Sequence, residues 1–344
     1  MEKKENIARI KVMKILNSDS LKKTLKMADV IDITEKVYIQ KSENKSVVWD
    51  TIFYDFEQGK ADMDIKSGFL KSEKIFGHKT VTFFADNTSK NLPTLTGLIN
   101  VFDSTTGIPL GITDGAYITG MRTGAASAIG AKYLANPNSE NALIVGAGNQ
   151  LIFQVAAILT VFPKIKTLFV YDRDFAKAQG SIKHLSQYLC DMKVKNEAEL
   201  IAAESLESAV KQSQIIITIT SSRTPFIKNE WITTGTHLST IGADMSGKQE
   251  IEPEIFSRAI IYTDDIQHSS EVGEMELALK ENIITLDNIN GEIGELISGR
   301  KIGRTSPDEI TIYDATGLAL LDIATAKVAL DSVESTFDNT FKMY

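Results

Sequence analysis

A chain of 344 residues, 43% hydrophobic and 24% charged, has the composition of a globular protein and enough length for two cores of ordinary size. Its formal net charge of −8 argues against a nucleic-acid partner, which needs dense Lys and Arg to displace counterions. No apolar run reaches the roughly 18 residues that cross a bilayer, the N-terminus lacks the apolar core of a signal peptide, and Cys190 stands alone, so a reducing cytoplasm with no membrane contact is the expected setting.

In chain order, the basic N-terminal stretch (Lys3, Lys4, Arg9, Lys11, Lys14, Lys22, Lys23, Lys26) is interrupted by Glu2, Glu5 and Asp19 and reads as a solvated surface. Ser18-Asp19-Ser20 is placed to cap a helix carrying Leu21 and Leu25, and a second helical pattern runs over residues 28–41. Residues 47–102 change to β-branched and aromatic runs split by Gly and Asn turns, the texture of an α+β module. A helix rich in Ala and Gly begins at Tyr117 and ends at Leu134, before Asn136-Pro137-Asn138. Strands at 142–145, 167–171 and 215–220 then alternate with helical stretches, which predicts a parallel sheet with crossover helices. Further strands at 238–241, 259–263 and 283–286 would complete a six-stranded doubly wound sheet. A strand at 310–313, a Gly turn and an apolar helix close the chain, and the helix is expected to return to the N-terminal module.

The strand Ala142-Leu143-Ile144-Val145 runs straight into Gly146-Ala147-Gly148-Asn149-Gln150, and a helix follows from Leu151. Glycines at these positions let the backbone turn tightly and approach a pyrophosphate, whose charge rests on the free N–H groups at the helix start. Leu151 occupies the place of the usual third glycine. Asp172 ends the next strand, 24 residues beyond Gly148, near the separation at which an acid meets the adenosine ribose hydroxyls. A carboxylate there repels a 2′-phosphate, which favours NAD over NADP, although the adjacent Arg173 works against that preference. The alternative is a glycine turn that binds no dinucleotide.

Lys66, Lys79 and Arg122 sit where apolar patterns break, and each taken singly reads as a surface cation. Asp244, taken singly, reads as a helix cap. The histidines His78, His184, His237 and His268 lack ligand spacing and Cys190 has no metal-binding partner nearby, so no metal is assigned. His78 is the one possible proton carrier among them, with a structural role favoured.

The run Arg122-Thr123-Gly124-Ala125-Ala126-Ser127 through Lys132-Tyr133-Leu134-Ala135 resembles the signature of the ornithine cyclodeaminase/mu-crystallin family. Matches continue at Asn87 with Asn91-Leu92-Pro93-Thr94, at Gly242-Ala243-Asp244 with Gly247-Lys248-Gln249-Glu250, at Gly291-Glu292-Ile293-Gly294-Glu295 and at Tyr313-Asp314-Ala315-Thr316-Gly317. The resemblance implies an α/β fold in which a Rossmann doubly wound parallel-sheet domain (residues 123–317) is inserted in a smaller α+β dimerisation and substrate domain (residues 1–122 with 318–344). It implies a homodimer, with Lys79 and Arg122 gripping the α-carboxylate of an amino or imino acid and with Lys66 and Thr94 also on the substrate. Asp244 is implied as the catalytic acid, with Lys79 also catalytic. On the cofactor side stand Thr123, Gly146, Gly148, Asn149, Gln150, Asp172, Arg173 and Thr220.

One departure bears on the substrate. Ornithine-converting members are expected to carry a further arginine and a glutamate before Lys79, whereas this chain offers Lys60, Lys66 and Ser67-Gly68, a version more similar to relatives that reduce imines of small or acidic amino acids. The implied activity is therefore an NAD(P)-dependent oxidoreductase of the imine reductase or amino acid dehydrogenase type. The alternatives are a cyclodeaminase that uses NAD catalytically and releases ammonia, and a mu-crystallin-like binding protein without catalysis.

Overall fold

The computed structural model describes residues 12–334 and 339–342. The basic residues Lys3, Lys4, Arg9 and Lys11 lie outside them. Strand β1 (Val12–Leu16) leads into α1 (Ser18–Thr24), whose cap is Asn17 rather than Ser18-Asp19-Ser20, because the Asn17 side chain accepts the Ser20 N–H at 2.9 Å. Helix α2 (Met27–Ser42) follows, then β2 (Ser46–Glu57), β3 (Ala61–Leu70), β4 (Ile75–Phe84), β5 (Leu95–Asp103) and β6 (Pro109–Asp114). Helix α3 (Gly115–Leu134) starts slightly before Tyr117, where the Asp114 carboxylate accepts the Tyr117 N–H at 2.8 Å. The alternating stretch comprises β7 (Asn141–Val145), α4 (Leu151–Val161), β8 (Thr167–Tyr171), α5 (Phe175–Asp191), β9 (Glu199–Ala202), α6 (Leu206–Gln212), β10 (Ile215–Thr218), β11 (His237–Thr240) and β12 (Ala259–Thr263). Then come α7 (Ile266–Val272), α8 (Glu276–Lys280), β13 (Ile289–Glu292), α9 (Ile293–Ile297), β14 (Ile310–Asp314), α10 (Ala319–Ser332) and β15 (Thr340–Lys342).

The described residues within 1–25, 43–122 and 318–344 form one unit, and 26–42 with 123–317 form the other, the boundary falling inside α3 between Arg122 and Thr123. Helix α2 therefore belongs with the second unit, not with the N-terminal module. Val30, Ile31, Thr34, Val37 and Tyr38 make one buried face of it. The Tyr313 hydroxyl donates to the Tyr38 hydroxyl at 2.8 Å, Lys41 pairs with Glu292 at 2.6 Å and with Asp265 at 3.1 Å, and a side chain at Gly294 would meet the Tyr38 carbonyl at 2.0 Å.

In the first unit, one sheet runs β15-β1-β6-β5-β4-β3-β2. Helix α10 lies against it because glycines leave it room. Gly68 and Gly77 face each other across β3 and β4, and a Cβ at Gly68 would meet Leu320 Cδ2 at 2.7 Å, while one at Gly111 would meet Leu330 Cδ2 at 2.3 Å. The packing buries α10 from Ala319 to Ala326, including its one charged residue there, Asp322.

The second unit carries a parallel sheet in the order β13-β12-β14-β11-β10-β7-β8-β9, so it has eight strands and not the expected six. Strand β9 adds an edge beyond β8, and β14 inserts between β11 and β12 instead of following a finished sheet. The strand expected at 283–286 is absent: the Ile283 and Ile284 N–H groups turn back onto the Ala278 carbonyl at 2.9 and 3.3 Å, finishing α8, and the edge strand forms at Ile289–Glu292. Leu143, Val145, Ile216, Leu238, Ile261 and Ile312 build the core from the strands. The chain proceeds from β7 outward to β8 and β9 on one side and from β10 to β11 on the other. The crevice at the carboxyl ends of β7 and β10 is therefore the topological switch point, where such sheets bind ligands. No described helix is long and apolar enough to cross a membrane.

Candidate functional site

The two glycines at the switch point are there for different reasons. Gly146 has φ +119°, and a Cβ on it would meet the Ile219 carbonyl at 2.6 Å, so the turn out of β7 admits only glycine. Gly148 keeps an ordinary φ, and a Cβ there would meet nothing within 4 Å. Neither conformation nor packing demands it; its missing side chain leaves open space before α4, whose N-terminus no side chain caps. An uncapped helix start facing a gap that a Cβ would fill suits a phosphate group. Asn149 is exposed at this rim, Gln150 is half-buried, and Leu151 is buried in the core.

Asp172 follows β8. One carboxylate oxygen accepts the Ala147 N–H at 3.0 Å and pairs with Lys177 at 3.0 Å, and the other accepts the Asp174 N–H at 3.1 Å. Burial works against its charge, but these donors outweigh it and hold its pKa below the usual carboxylate value. Arg173 is exposed beside it. Thr123 is buried in α3, next to Gly124, where a Cβ would meet the Phe153 carbonyl at 2.4 Å. Thr220 stands just beyond β10, its N–H donated to Glu250 at 2.7 Å.

The first unit gathers the cations. Lys66 and Lys79 are direct cross-strand partners in β3 and β4, so they share a face, and Arg122 comes from α3. Asp322 of α10 binds two of them: Lys79 Nζ lies 3.0 Å from Oδ2 and Arg122 Nε lies 3.2 Å from Oδ1. Thr119 completes the group, 3.3 Å from both Lys79 and Asp322. Lys79 is no surface cation, with 4% of its area exposed. Desolvation pulls its pKa down to about 8; Asp322 resists, while Arg122 and Lys66 add to the fall. Burial disfavours the charge of Asp322, yet Arg122 and Lys79 prevail and lower its pKa. Sequence reasoning missed Asp322, whose one signal was a carboxylate in the apolar run Ala319-Leu320-Leu321-Asp322-Ile323-Ala324.

Thr94 is not brought to this group. It precedes β5 where Phe83 pairs with Leu95, whereas Lys79 pairs with Ile99, about 16 Å farther along the strand at ~3.3 Å per residue. His78, beside Lys79 in sequence, faces the other way: it bonds Asn100 at 3.1 Å and stacks on Phe102, and burial lowers its pKa.

Asp244 lies in the loop after β11 and caps no helix. Its side chain is 51% exposed and meets Lys248 at 2.5 Å. Behind that loop the chain buries Glu250, Glu274 and Asp314, three carboxylates that sequence reasoning gave no role. Among the described residues, no group of three or more His, Cys, Asp or Glu side chains is arranged to hold a metal ion.

Known proteins match this chain along most of its length. An alanine dehydrogenase of Archaeoglobus fulgidus is 34% identical over 321 residues, covering 93% of this chain and 95% of that enzyme. The structure of Thermococcus litoralis Δ1-pyrroline-2-carboxylate reductase in complex with NADH and L-proline superposes with a TM-score of 0.86 at 30% identity, covering 93% and 97% of the two chains. The iminosuccinate reductase of Paracoccus denitrificans in complex with NAD+ superposes with a TM-score of 0.84 at 26% identity, covering 93% and 96%. The model of the ornithine cyclodeaminase/mu-crystallin family matches residues 11–336, and the chain belongs to that family.

Proposed function

We propose that the protein is an NAD(H)-dependent oxidoreductase that interconverts a small 2-imino acid and the corresponding amino acid. The observation that carries this reading is the buried Lys79–Asp322–Arg122 group of the first unit. Asp322 engages Arg122 through Nε, so the terminal guanidinium nitrogens remain for a planar pair of bonds to a substrate carboxylate, with Lys79 as a compact charge beside them. Gly146, Gly148, Asn149, Gln150 and the start of α4 would hold the cofactor pyrophosphate, Asp172 the adenosine ribose, and Thr123 and Thr220 further polar positions of the cofactor. Asp172 favours NAD, while Lys177 and Arg173 temper its repulsion of a 2′-phosphate. Nicotinamide, when bound, supplies or accepts the hydride at the α-carbon. Asp244 moves the proton: giving it to the imine nitrogen makes the carbon electrophilic, and the reverse step takes it from the amine.

Relatives that reduce a pyrroline carboxylate or iminosuccinate support the same chemistry. Lys66 works against a diamine substrate, since a distal ammonium would face a like charge beside Lys79. That weakens the cyclodeaminase reading, and the intact cation group and Asp244 weaken a purely binding role. NADH consumption with pyruvate plus ammonia, oxaloacetate plus ammonia and a cyclic imino acid tests the proposal. NADH binding without turnover on any of them would reject it.

We further propose a homodimer built on the first unit. Strand β2 is a long sheet edge whose Trp49, Ile52, Phe53, Tyr54 and Phe56 stand 43–60% exposed, and Leu95 and Leu98 of β5 are 48% and 53% exposed. Such an edge needs cover, and a second copy supplies an equally apolar one. Ile52→Asp with Phe53→Asp should halve the mass in sedimentation; an unchanged mass would place the interface elsewhere.

A further inference from the structure

Within the second unit, Glu250 spans two loops. Its Oε1 accepts the Thr220 N–H at 2.7 Å and its Oε2 accepts the Gly242 N–H at 3.0 Å. Strands β10 and β11 are parallel neighbours with Thr218 opposite Thr240, so Thr220 and Gly242 are equivalent positions, two residues past each partner. One carboxylate thus ties together the two loops leaving the switch-point edge. Gly242 is shaped for this: a Cβ on it would meet Glu250 Oε1 at 2.5 Å and the Thr220 carbonyl at 2.3 Å.

Glu250 is itself fixed from behind. Its N–H and that of Ile251 both donate to Glu274 Oε1 at 2.6 Å, and its carbonyl accepts the Phe226 and Ile227 N–H groups at 2.9 and 3.0 Å. Glu274 is held in turn, its N–H donated to Asp314 at 3.1 Å, with the Met275 N–H on the other Asp314 oxygen at 3.0 Å. Burial and the neighbouring Glu250 push the Glu274 carboxyl well above the carboxylate range, and burial pushes that of Glu250 up as well. Among the described residues no cation pairs with Glu250. A buried acid without a counter-ion is a poor source of stability, since an apolar residue of equal volume fills the space at less cost.

We infer that Glu250 is a positioning residue, a clasp that sets the Gly242-Ala243-Asp244 loop against the Thr220 loop and so fixes where Asp244 presents its proton. The inference rests on Asp244 being the acid of the proposed reaction. It commits a buried carboxyl group to loop geometry, and a misplacement of about 1 Å costs on the order of 100-fold in rate.

Glu250→Gln tests it, because the amide keeps the shape but offers one acceptor to two N–H donors. The expected result is a kcat lowered about 10- to 100-fold, with KM for the imino acid and the Kd for NADH, read by fluorescence, within about threefold of wild type. Amide hydrogen exchange should quicken at both Thr220 and Gly242. A kcat within threefold of wild type, or a kcat loss that tracks a loss of NADH affinity, overturns the inference. Unchanged exchange at the two amides overturns it as well. If the wild-type protein turns over no imino acid, the reaction proposed above fails, while the exchange measurement still decides whether Glu250 holds the loops.

Discussion

Replacing Asp322 by Asn isolates the group on which the proposed function rests. The wild-type carboxylate is 1% exposed and touches Lys79 at 3.0 Å and Arg122 at 3.2 Å. At an effective dielectric of ~20, each contact carries roughly 5 kcal/mol of Coulomb attraction, most of it offset by the desolvation of three charges and the repulsion between the two cations. Removing only the anion keeps the desolvation cost and loses the attraction, which destabilises by about 3–5 kcal/mol. At about 2–4 °C per kcal/mol for a unit of this size, the melting point should fall by about 6–20 °C. Lys79, already at about 8, loses its strongest support and drops further, so the alkaline limb of kcat/KM should move down by at least about one pH unit. Thermal melts and pH–rate profiles read both effects. The Lys79→Met/Asp322→Asn double variant closes the cycle: with the Lys79 charge gone, it should lose less than the sum of the single losses, by about 2 kcal/mol. Additive losses, or an Asp322→Asn protein that melts within about 2 °C of wild type with its alkaline limb in place, would refute the argument.

The pKa of Lys79 near 8 gives two pH effects of opposite sign. Carboxylate binding needs the ammonium, so KM should rise as pH climbs through 8; the depressed folded pKa makes the unfolded chain the better proton binder between 8 and 10.5, so fold stability from this group should rise over that window, and Lys79→Met should flatten both curves. Gly146→Ala should destabilise by about 1–3 kcal/mol through its φ of +119° and the Ile219 carbonyl, whereas Gly148→Ala should leave the melting point alone and weaken NADH at least about tenfold; equal NADH affinity in Gly148→Ala and wild type would remove the phosphate from that gap. Lys66, Lys79 and Arg122 against the single Asp322 leave two unmatched positive charges, so Lys66→Met should lower kcat/KM at least about tenfold for a dicarboxylic 2-oxo acid with ammonia, and by less than about threefold for a monocarboxylic one. Equal losses on the two substrates would detach Lys66 from a second carboxylate.

Periodicity and punctuation made most of the fold readable. The strand at 167–171 and the helix from Leu151 stand where the pattern places them, because a short buried run followed by glycines or caps has few other solutions. The misses have local causes. Strand β9 is four residues, Glu199-Leu200-Ile201-Ala202, none of them fully buried, too short and too polar at its start for alternation to declare itself. Ile283-Ile284 is more apolar than Ile289-Asn290-Gly291-Glu292, yet the latter is the strand, since edge strands pair through backbone and need little hydrophobicity. Helix α2 is amphipathic in either unit, and contacts formed in the fold, the tyrosine pair, the Lys41 ion pairs and the close approach at Gly294, decide where its face is buried.

The site divides along the same line. Backbone-determined parts were legible: Gly146 is dictated by its φ, and a glycine with no such need, Gly148, marks room kept for something else. Cations were legible as residue types but not as a group, because what makes them one is Asp322, 243 positions from Lys79 in the chain. The sequence nevertheless held a usable constraint. Asp322 sits in a helix apolar on nearly every side, so that helix had to be buried, and a buried carboxylate must be paired or hydrogen-bonded. The same rule applied to Glu250 and Glu274 gives a different answer, since their partners are backbone N–H groups and, for Glu274, the Gln249 side-chain amide, and no cation was required. An acid in an apolar run therefore predicts an obligation rather than a partner. Whether a distant lysine or a neighbouring loop meets it depends on tertiary packing, and here one outcome builds the proposed carboxylate grip while the other sets the loop of the proposed acid.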